Sequence, residues 1–252
     1  LPVKRGTSSL AVSPDGKSLA LTARGEVFAT SVEYQTTRQV SFTPQSESYV
    51  SWGPDARSIV YASDRDGLNN IYLATLARKE DPDFPNATKI AEEALFPSDG
   101  VERTQPQYSP DGSKLAFIQD RNRLMVMDVN SKSVKQLTDS TLNPRRSGKV
   151  NYSWSPDGEW IVMEAVMNGR DPYTDIALIN VGSGRITDLT HSGYFDEMPR
   201  WAMDGQAVLF ISERYGMRNH ASWGSQYDAM LLFLNHCLLY TSPSPRDGAT
   251  SR

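Results

Sequence analysis

Five aspartates recur in this sequence at places where a carboxylate could act as a general base or bind a metal. The stretch QYSPDGSKLAF (107–117) shows the pattern, with an aspartate between a proline and a glycine. In such a turn Pro presets φ, Asp accepts hydrogen bonds from the nearby backbone, and Gly accepts a positive φ. All three residue types are thus explained without a ligand. We therefore predict structural turns at Asp15, Asp55, Asp111, Asp157 and Asp204.

Histidine and serine are the next candidates, because a nucleophilic serine needs a histidine within hydrogen-bond reach. His191 lies in HSGYFDE and His220 lies in RYGMRNHASWGSQ, but the sequence has no Gly-x-Ser-x-Gly elbow. We expect both histidines to be loop residues, and we predict no catalytic residue in this chain. The loop SDRDGLNN (63–70) resembles a calcium loop but lacks the third carboxylate and the bidentate glutamate. It is predicted to be a turn, and we predict no metal site and no cofactor.

The five aspartates belong to an internal repeat. AVSPDGKSLAL (11–21), SWGPDARSIVY (51–61), SWSPDGEWIVM (153–163) and RWAMDGQAVLF (200–210) resemble residues 107–117, and successive aspartates are 40, 56, 46 and 47 residues apart. Four short apolar segments with alternating polarity, separated by turn residues, fill the third repeat at 104–108, 114–118, 123–129 and 134–138. Four strands per repeat predict the blade of a β-propeller.

The sequence therefore predicts an all-β, WD40-like β-propeller with about five recognisable four-stranded blades and an incomplete ring. The predicted blades lie near 1–43, 44–103, 104–140, 141–191 and 192–236. The long insert at 76–103 is expected to be a surface excursion, and TKIAEEAL (88–95) within it is the one short segment with an amphipathic helical pattern. Trp52, Trp154 and Trp201 recur just before the turn, which predicts that they pack between blades.

Composition excludes several classes of function. The formal net charge of −4 is mild and the basic residues are scattered, so we expect neither a nucleic-acid partner nor an anionic membrane surface. No apolar run is long enough to span a bilayer. The only cysteine lies in residues 237–252, and CLLYTSPSPRD (237–247) matches the translation of a common transposase sequencing adapter. We therefore set residues 237–252 apart as a non-native tail.

The repeats resemble a known group of propellers. VSWGPDARSIVYASDRDGLNNIYLATL (50–76), with the Leu-Thr endings of VKQLT and ITDLT, is similar to the WD40-like repeats of the Tol-system periplasmic propeller and of tricorn-type serine peptidases. LAVSPDGKSLALTARGEVFATSVE (10–33) and ISERYGMRNHASWGSQYDAMLLFLN (211–235) resemble the tricorn-type propellers more specifically.

The resemblance implies a non-catalytic propeller that guides or filters peptides toward a catalytic domain absent from this chain. The expected partners are peptides or polypeptides and the PDZ and peptidase domains of the same parent chain, in the periplasm or cell envelope. An incomplete ring would leave strand edges unpaired, so homo-oligomers are a further expectation. Two alternatives are a stand-alone Tol-system-type protein-binding propeller and the propeller cap of a prolyl-oligopeptidase-like enzyme. The native sequence beyond residue 235 would distinguish the three.

Adjacent arginines in NPRRSGKV (143–150) become a candidate site in this context. Tricorn-type peptidases anchor a substrate C-terminus through paired arginines of a propeller, and guanidinium groups bind carboxylates by two parallel hydrogen bonds. The resemblance therefore implies that Arg145 and Arg146 bind the carboxylate of a peptide substrate. The alternative is that both are solvated loop residues.

Overall fold

The computed structural model describes residues 6–143, 149–217 and 225–235, and the chain forms two compact units that divide between residues 149 and 150. Nineteen strands and one short 3-10 helix form from these residues, so the all-β prediction is confirmed. No helix that could cross a membrane occurs among them. Arg145, Arg146, His220 and residues 237–252 lie outside the described residues.

The first unit contains three antiparallel sheets of four strands each, and in every sheet the strands pair in chain order. The first sheet has β1 (Thr7–Val12), β2 (Ser18–Ala23), β3 (Glu26–Ser31) and β4 (Thr37–Gln39). The second has β5 (Glu47–Trp52), β6 (Ser58–Ser63), β7 (Asn70–Leu76) and β8 (Ile90–Ala94). The third has β9 (Arg103–Tyr108), β10 (Lys114–Gln119), β11 (Arg123–Asp128) and β12 (Val134–Gln136).

The second unit repeats this arrangement in two sheets. One has β13 (Tyr152–Trp154), β14 (Trp160–Ala165), β15 (Asp175–Asn180) and β16 (Ile186–Asp188). The other has three strands among the described residues, β17 (Asp196–Ala202), β18 (Ala207–Ser212) and β19 (Asp228–Phe233). Each sheet is an open meander of the kind that forms a propeller blade, as the repeat predicts.

Apolar faces of consecutive sheets pack together within each unit. Trp52 and Phe84 meet edge to face at 5.5 Å between the first two sheets, and Phe96 and Phe117 lie 4.9 Å apart between the second and third. Two tryptophans at the repeated position also join neighbouring sheets by hydrogen bonds. The indole of Trp52 donates to the carbonyl of Ala11, and that of Trp201 donates to the carbonyl of Ser153. Both contacts agree with the predicted position between blades.

The repeated turn joins the first strand of each sheet to the second. In the third sheet the amide of Gly112 donates to the carbonyl of Ser109, and Gly112 has φ +73°. Asp111 accepts from the hydroxyl of Ser109 at 2.6 Å and from both the amide and the hydroxyl of Ser113. Equivalent acceptors are Asp15, Asp55 and Asp157. Four of the five aspartates therefore have their carboxylates engaged within their own turns.

The fifth copy of the turn has a different shape. Met203 replaces the proline and has φ +51°, which a proline ring cannot adopt, and Asp204 has φ +52°. The residues Met203–Gly205 form the 3-10 helix, and no side-chain hydrogen bond holds Asp204 within the described structure. Loss of the proline and serine thus changes the turn, although the aspartate and glycine are retained.

The insert at 76–103 corrects one prediction. Residues 88–95 do not form a helix, because Ile90–Ala94 pairs with β7 as the fourth strand of the second sheet. The rest of the insert is not a simple surface excursion either. Phe84 is fully buried, and the carboxylate of Asp81 accepts from the amide and hydroxyl of Thr88. Packing against the sheet therefore overrides the helical pattern of this short segment.

We predict that Asp111→Ala lowers the free energy of unfolding by about 1–2 kcal/mol at pH 7, because three hydrogen bonds are lost from the turn. Asp204→Asn is the matched control, because asparagine also tolerates the positive φ of this position, and we expect a change within about 0.5 kcal/mol. Urea unfolding followed by tryptophan fluorescence measures both. Equal losses for the two variants would contradict a turn role for the Asp111 carboxylate.

The pH dependence gives a second check of the same turn. Hydrogen bonds from Ser109 and Ser113 lower the pKa of Asp111 from 3.8 to about 2. A lowered folded-state pKa means that the stabilisation is present above pH 3.8 and is lost as the pH falls toward 2. The stability difference between the native protein and Asp111→Ala should therefore shrink over that interval.

Candidate functional site

Each sheet has two ends with different chemistry. At the turn edge the first strand passes into the second through the repeated turn. At the opposite end the first strand begins, the second strand ends and the third begins, and we call this end the charged edge. In the second sheet it carries Glu47 and Arg65, and in the last two sheets it carries Asp175, Asp196 and Glu213. Several ionisable side chains are buried at the charged edge, and it is the candidate functional site.

A guanidinium organises the charged edge of the second sheet. Arg65 lies 3.2 Å from Glu47 and 3.4 Å from Glu92, and its guanidinium stacks over the Tyr72 ring at 4.0 Å. The Glu47 side chain is fully buried and that of Arg65 is 17% exposed. Tyr61 donates a hydrogen bond to Glu92 beside the same guanidinium. The arginine therefore neutralises two acidic side chains in a place from which water is largely excluded.

Hydroxyl groups complete the surroundings of Glu47. The hydroxyls of Ser41, Thr43 and Ser63 donate to its carboxylate at 2.7–3.0 Å. The Ser41 hydroxyl also lies 2.7 Å from Glu26, which begins the third strand of the preceding sheet, so the two carboxylates share its single proton. Both oxygens of the buried carboxylate are thus hydrogen-bonded, as a buried charge requires.

The charged edge of the second unit is acidic without such a partner. Asp175 accepts from the amide of Ser192 at 2.6 Å and from the hydroxyl of Thr190 at 3.2 Å. Burial raises the pKa of Asp175, those two hydrogen bonds oppose the rise, and the negative charges of Asp188 and Asp196 add to it. No lysine or arginine forms an ion pair with a carboxylate among the described residues of this unit.

Three glutamates form a second acidic group in this unit. Burial and the charges of Glu164 and Glu213 raise the pKa of Glu197. Tyr227 is 42% exposed, and burial of its hydroxyl together with the same three glutamates raises its pKa to about 12. An aromatic ring beside several carboxylates is a favourable surface for a cation.

The described histidine lies near an aspartate, and no serine of the described residues completes a triad with it. Nδ1 of His191 is 3.3 Å from a carboxylate oxygen of Asp188, and the imidazole is 73% exposed. The hydroxyl of the neighbouring Ser192 instead contacts the backbone of Tyr194. The structure thus brings His191 and Asp188 together, without a serine hydroxyl hydrogen-bonded to the imidazole in the described part of the chain.

The remaining candidates from the sequence have simple surroundings. In the loop 63–70, Asp66 accepts from the hydroxyl of Tyr72 and Asp64 accepts from the amide of Ser46. Within the described ranges, no group of three or more His, Cys, Asp or Glu side chains is placed to hold a metal ion. Arg145 and Arg146 lie outside the described residues, so their proposed carboxylate site stays a prediction.

The charged edge was not identified from the sequence. Its members come from different strands and from loops of unequal length, so spacing alone does not unite them. A signal is nevertheless present, because Ser63-Asp64-Arg65 and Ser212-Glu213-Arg214 occupy the same place in their repeats. That place comes directly after the second strand in both sheets.

Comparisons with known proteins agree with the fold. The family model described as TolB beta propeller domain matches residues 3–150. The Tol-Pal system protein TolB of Francisella tularensis subsp. mediasiatica is 26% identical in an alignment of 207 positions that covers 64% of this chain and 44% of that protein. Tricorn protease homolog 1 of Streptomyces coelicolor is 26% identical over 106 residues, which are 42% of this chain and 9% of that protein.

A solved structure also resembles this chain. The crystal structure of the tricorn protease superposes with a TM-score of 0.65 at 15% identity, covering 96% of this chain and 22% of that one. At this identity the likeness shows the fold alone. The chain spans less than half the length of the curated relatives it matches. It is a propeller related both to TolB and to peptidase propellers.

The Arg65 cluster generates a stability prediction. Arg65→Ala leaves the Glu47 carboxylate buried without its cation, so we expect a loss of about 3 kcal/mol in the free energy of unfolding. In the double variant Arg65→Ala with Glu47→Gln, part of that loss should be recovered, because the carboxylate left without Arg65 is then only that of Glu92, which is partly exposed.

Arg121→Ala is the matched control, since Arg121 pairs with Glu102 while 75% exposed. Urea unfolding should show a loss of at most about 1 kcal/mol for this surface pair. Similar losses for Arg65→Ala and Arg121→Ala would show that the buried ion pair contributes no more to the free energy of unfolding than the exposed one.

Proposed function

The chain belongs to the TolB beta propeller domain family, and on that premise we propose that its blades bind polypeptides and do not themselves catalyse a reaction. The observation that carries this proposal is the difference between the two edges of the sheets. Four of the five turn-edge aspartates are engaged by serines and amides of their own turns, as at Asp15, Asp111 and Asp157. Charged-edge side chains come from several strands and remain partly exposed at Glu197 and Tyr227. Among the described residues the charged edge therefore offers the larger set of groups for a ligand.

Two kinds of protein could use such a polypeptide-binding propeller, a peptidase and a TolB-type binding protein, and a specific observation favours each. Residues 10–33 and 211–235 resemble tricorn-type propellers, and the chain is 26% identical over 106 residues to a tricorn protease homologue, which favours a propeller that guides peptides to a peptidase domain outside it. The sequence match to TolB is longer than the match to the tricorn homologue, which favours binding of an envelope protein. We propose the first as the leading setting and the second as its alternative. A periplasmic or envelope location goes with both.

Arg145 and Arg146 belong to the first setting. If they anchor a peptide carboxylate, replacing both with alanine in the intact parent enzyme should raise KM for peptides with a free C-terminus. Peptides with an amidated C-terminus are the control, and their KM should not change. An unchanged KM, or an equal rise for amidated peptides, would remove these arginines from the proposal.

The binding edge can be tested with two exposed methionines of the last sheet. Met198 lies at the charged edge and Met203 lies in the turn, and they are 52% and 44% exposed with φ values of +54° and +51°. In a Cys237→Ser background, Met198→Cys and Met203→Cys each allow attachment of a maleimide-polyethylene glycol chain. Peptides selected from a random 12-residue display library serve as the probes, and their affinity is measured by fluorescence anisotropy.

We expect the label at position 198 to weaken peptide binding at least tenfold, because it blocks the charged edge. The label at position 203 should change the affinity less than twofold. Failure to select any binding peptide would contradict the proposed function. Equal weakening by both labels would show that the charged edge is not the binding edge.

A further inference from the structure

Asp196 is a buried carboxylate without a partner. It begins the first strand of the last sheet, its relative exposure is 0%, and neither carboxylate oxygen has a hydrogen-bond partner in the described structure. Buried polar groups are almost always hydrogen-bonded, and a buried charge also requires a counter-charge. Its neighbour Asp175 is another carboxylate, whose pKa Asp196 raises. Two acidic side chains thus lie near each other in a place where a cation would be expected.

The second sheet has an equivalent buried carboxylate, Glu47, that does have hydrogen-bond donors and a cation. Glu47 pairs in register with Ser63, and Asp196 pairs in register with Ser212, so the two acids hold equivalent positions. Glu47 accepts a hydrogen bond from the hydroxyl of Ser63 and forms an ion pair with the guanidinium of Arg65. Within the described ranges, no hydrogen bond from Ser212 reaches the carboxylate of Asp196, whose side chain is one methylene shorter.

The equivalent arginine is directed elsewhere. Arg214 follows Ser212 as Arg65 follows Ser63, but its Nη2 lies 3.5 Å from the carbonyl of Thr190. Arg170 also contacts a carbonyl, that of Ser192, at 2.8 Å. Both guanidinium groups therefore contact backbone oxygens, and in the described part of the chain neither forms an ion pair with Asp175 or Asp196.

We propose that Asp175 and Asp196 bind the guanidinium of an arginine side chain in a polypeptide ligand. The ligand occupies the position that Arg65 fills in the second sheet. A guanidinium fits because its planar donors can reach two carboxylates at once. In the second sheet the Arg65 side chain is 17% exposed, so a cation in this position lies at the border with solvent. This inference names the ligand chemistry of the proposed polypeptide-binding function and rests on it.

The probes are the peptide acetyl-Gly-Gly-Arg-Gly-Gly-amide and its counterpart with citrulline, which has nearly the same shape and no charge. Isothermal titration calorimetry should show at least tenfold weaker binding of the citrulline peptide. Asp196→Asn should weaken binding of the arginine peptide at least tenfold. Asp204→Asn is the matched control, and it should leave that affinity within twofold, because it makes the same charge change at the turn edge of the same sheet.

Stability without peptide gives an independent readout. Asp196→Asn removes an unpaired buried charge, so the thermal midpoint of the free protein should stay the same or rise. Glu47→Gln removes the partner of Arg65, so its midpoint should fall. A destabilised Asp196→Asn would show that the carboxylate already has a partner within the chain, and this result would overturn the proposal.

Other occupants are distinguished by further arms of the same experiments. If Arg214 is the missing cation, Arg214→Ala will lower the thermal midpoint as strongly as Arg65→Ala does, and the proposal is wrong. It is also wrong if calcium chloride raises the midpoint in an Asp196-dependent way while the arginine peptide does not bind. If library-selected peptides bind but arginine and citrulline are equivalent, this inference fails and the proposed function stands. If no peptide of any kind binds, both fail.

Discussion

The neutralisation of buried carboxylates is the constraint on which the charged edge depends. Sheets that stack face to face bring the first strand of one blade against the third strand of the preceding blade, and ionisable side chains at those strand ends lose water. A carboxylate in that place needs hydrogen-bond donors and a cation, since desolvation otherwise opposes its charge. The first unit meets this need at Glu47 with three hydroxyls and Arg65. The second unit leaves Asp196 without either in the described structure.

The repeat makes this difference informative, because one chain contains both a complete and an incomplete version of the same arrangement. Glu47 and Asp196 share their register with the following strand, and Arg65 and Arg214 share their place in the sequence. The complete arrangement at Glu47 therefore shows which groups surround a buried carboxylate at this place in the fold, and the arrangement at Asp196 shows which of them is missing there. The missing group is a cation, and a binding propeller can obtain it from its ligand.

Much of the fold was predictable from local chemistry. Proline, aspartate and glycine in a fixed order determine the turn, and the strand alternation around it identifies the blade. Where the proline is absent, at Met203, the turn differs as well. The strand Ile90–Ala94 was not predicted, because its exposed, charged residues have a helical pattern and its pairing with β7 is a tertiary effect. Bulges were missed for a similar reason, since Tyr49, Gln105 and Met198 adopt positive φ without being glycine.

The candidate site was less predictable than the fold, because its members meet only after the sheets stack. A crystal structure of the chain with the arginine pentapeptide bound would show whether Asp196 receives its cation from a ligand. We expect the peptide guanidinium within hydrogen-bond distance of the Asp196 carboxylate, with Asp175 on its other side. A side chain of the protein itself or a metal ion at that position, with the peptide elsewhere, would contradict it.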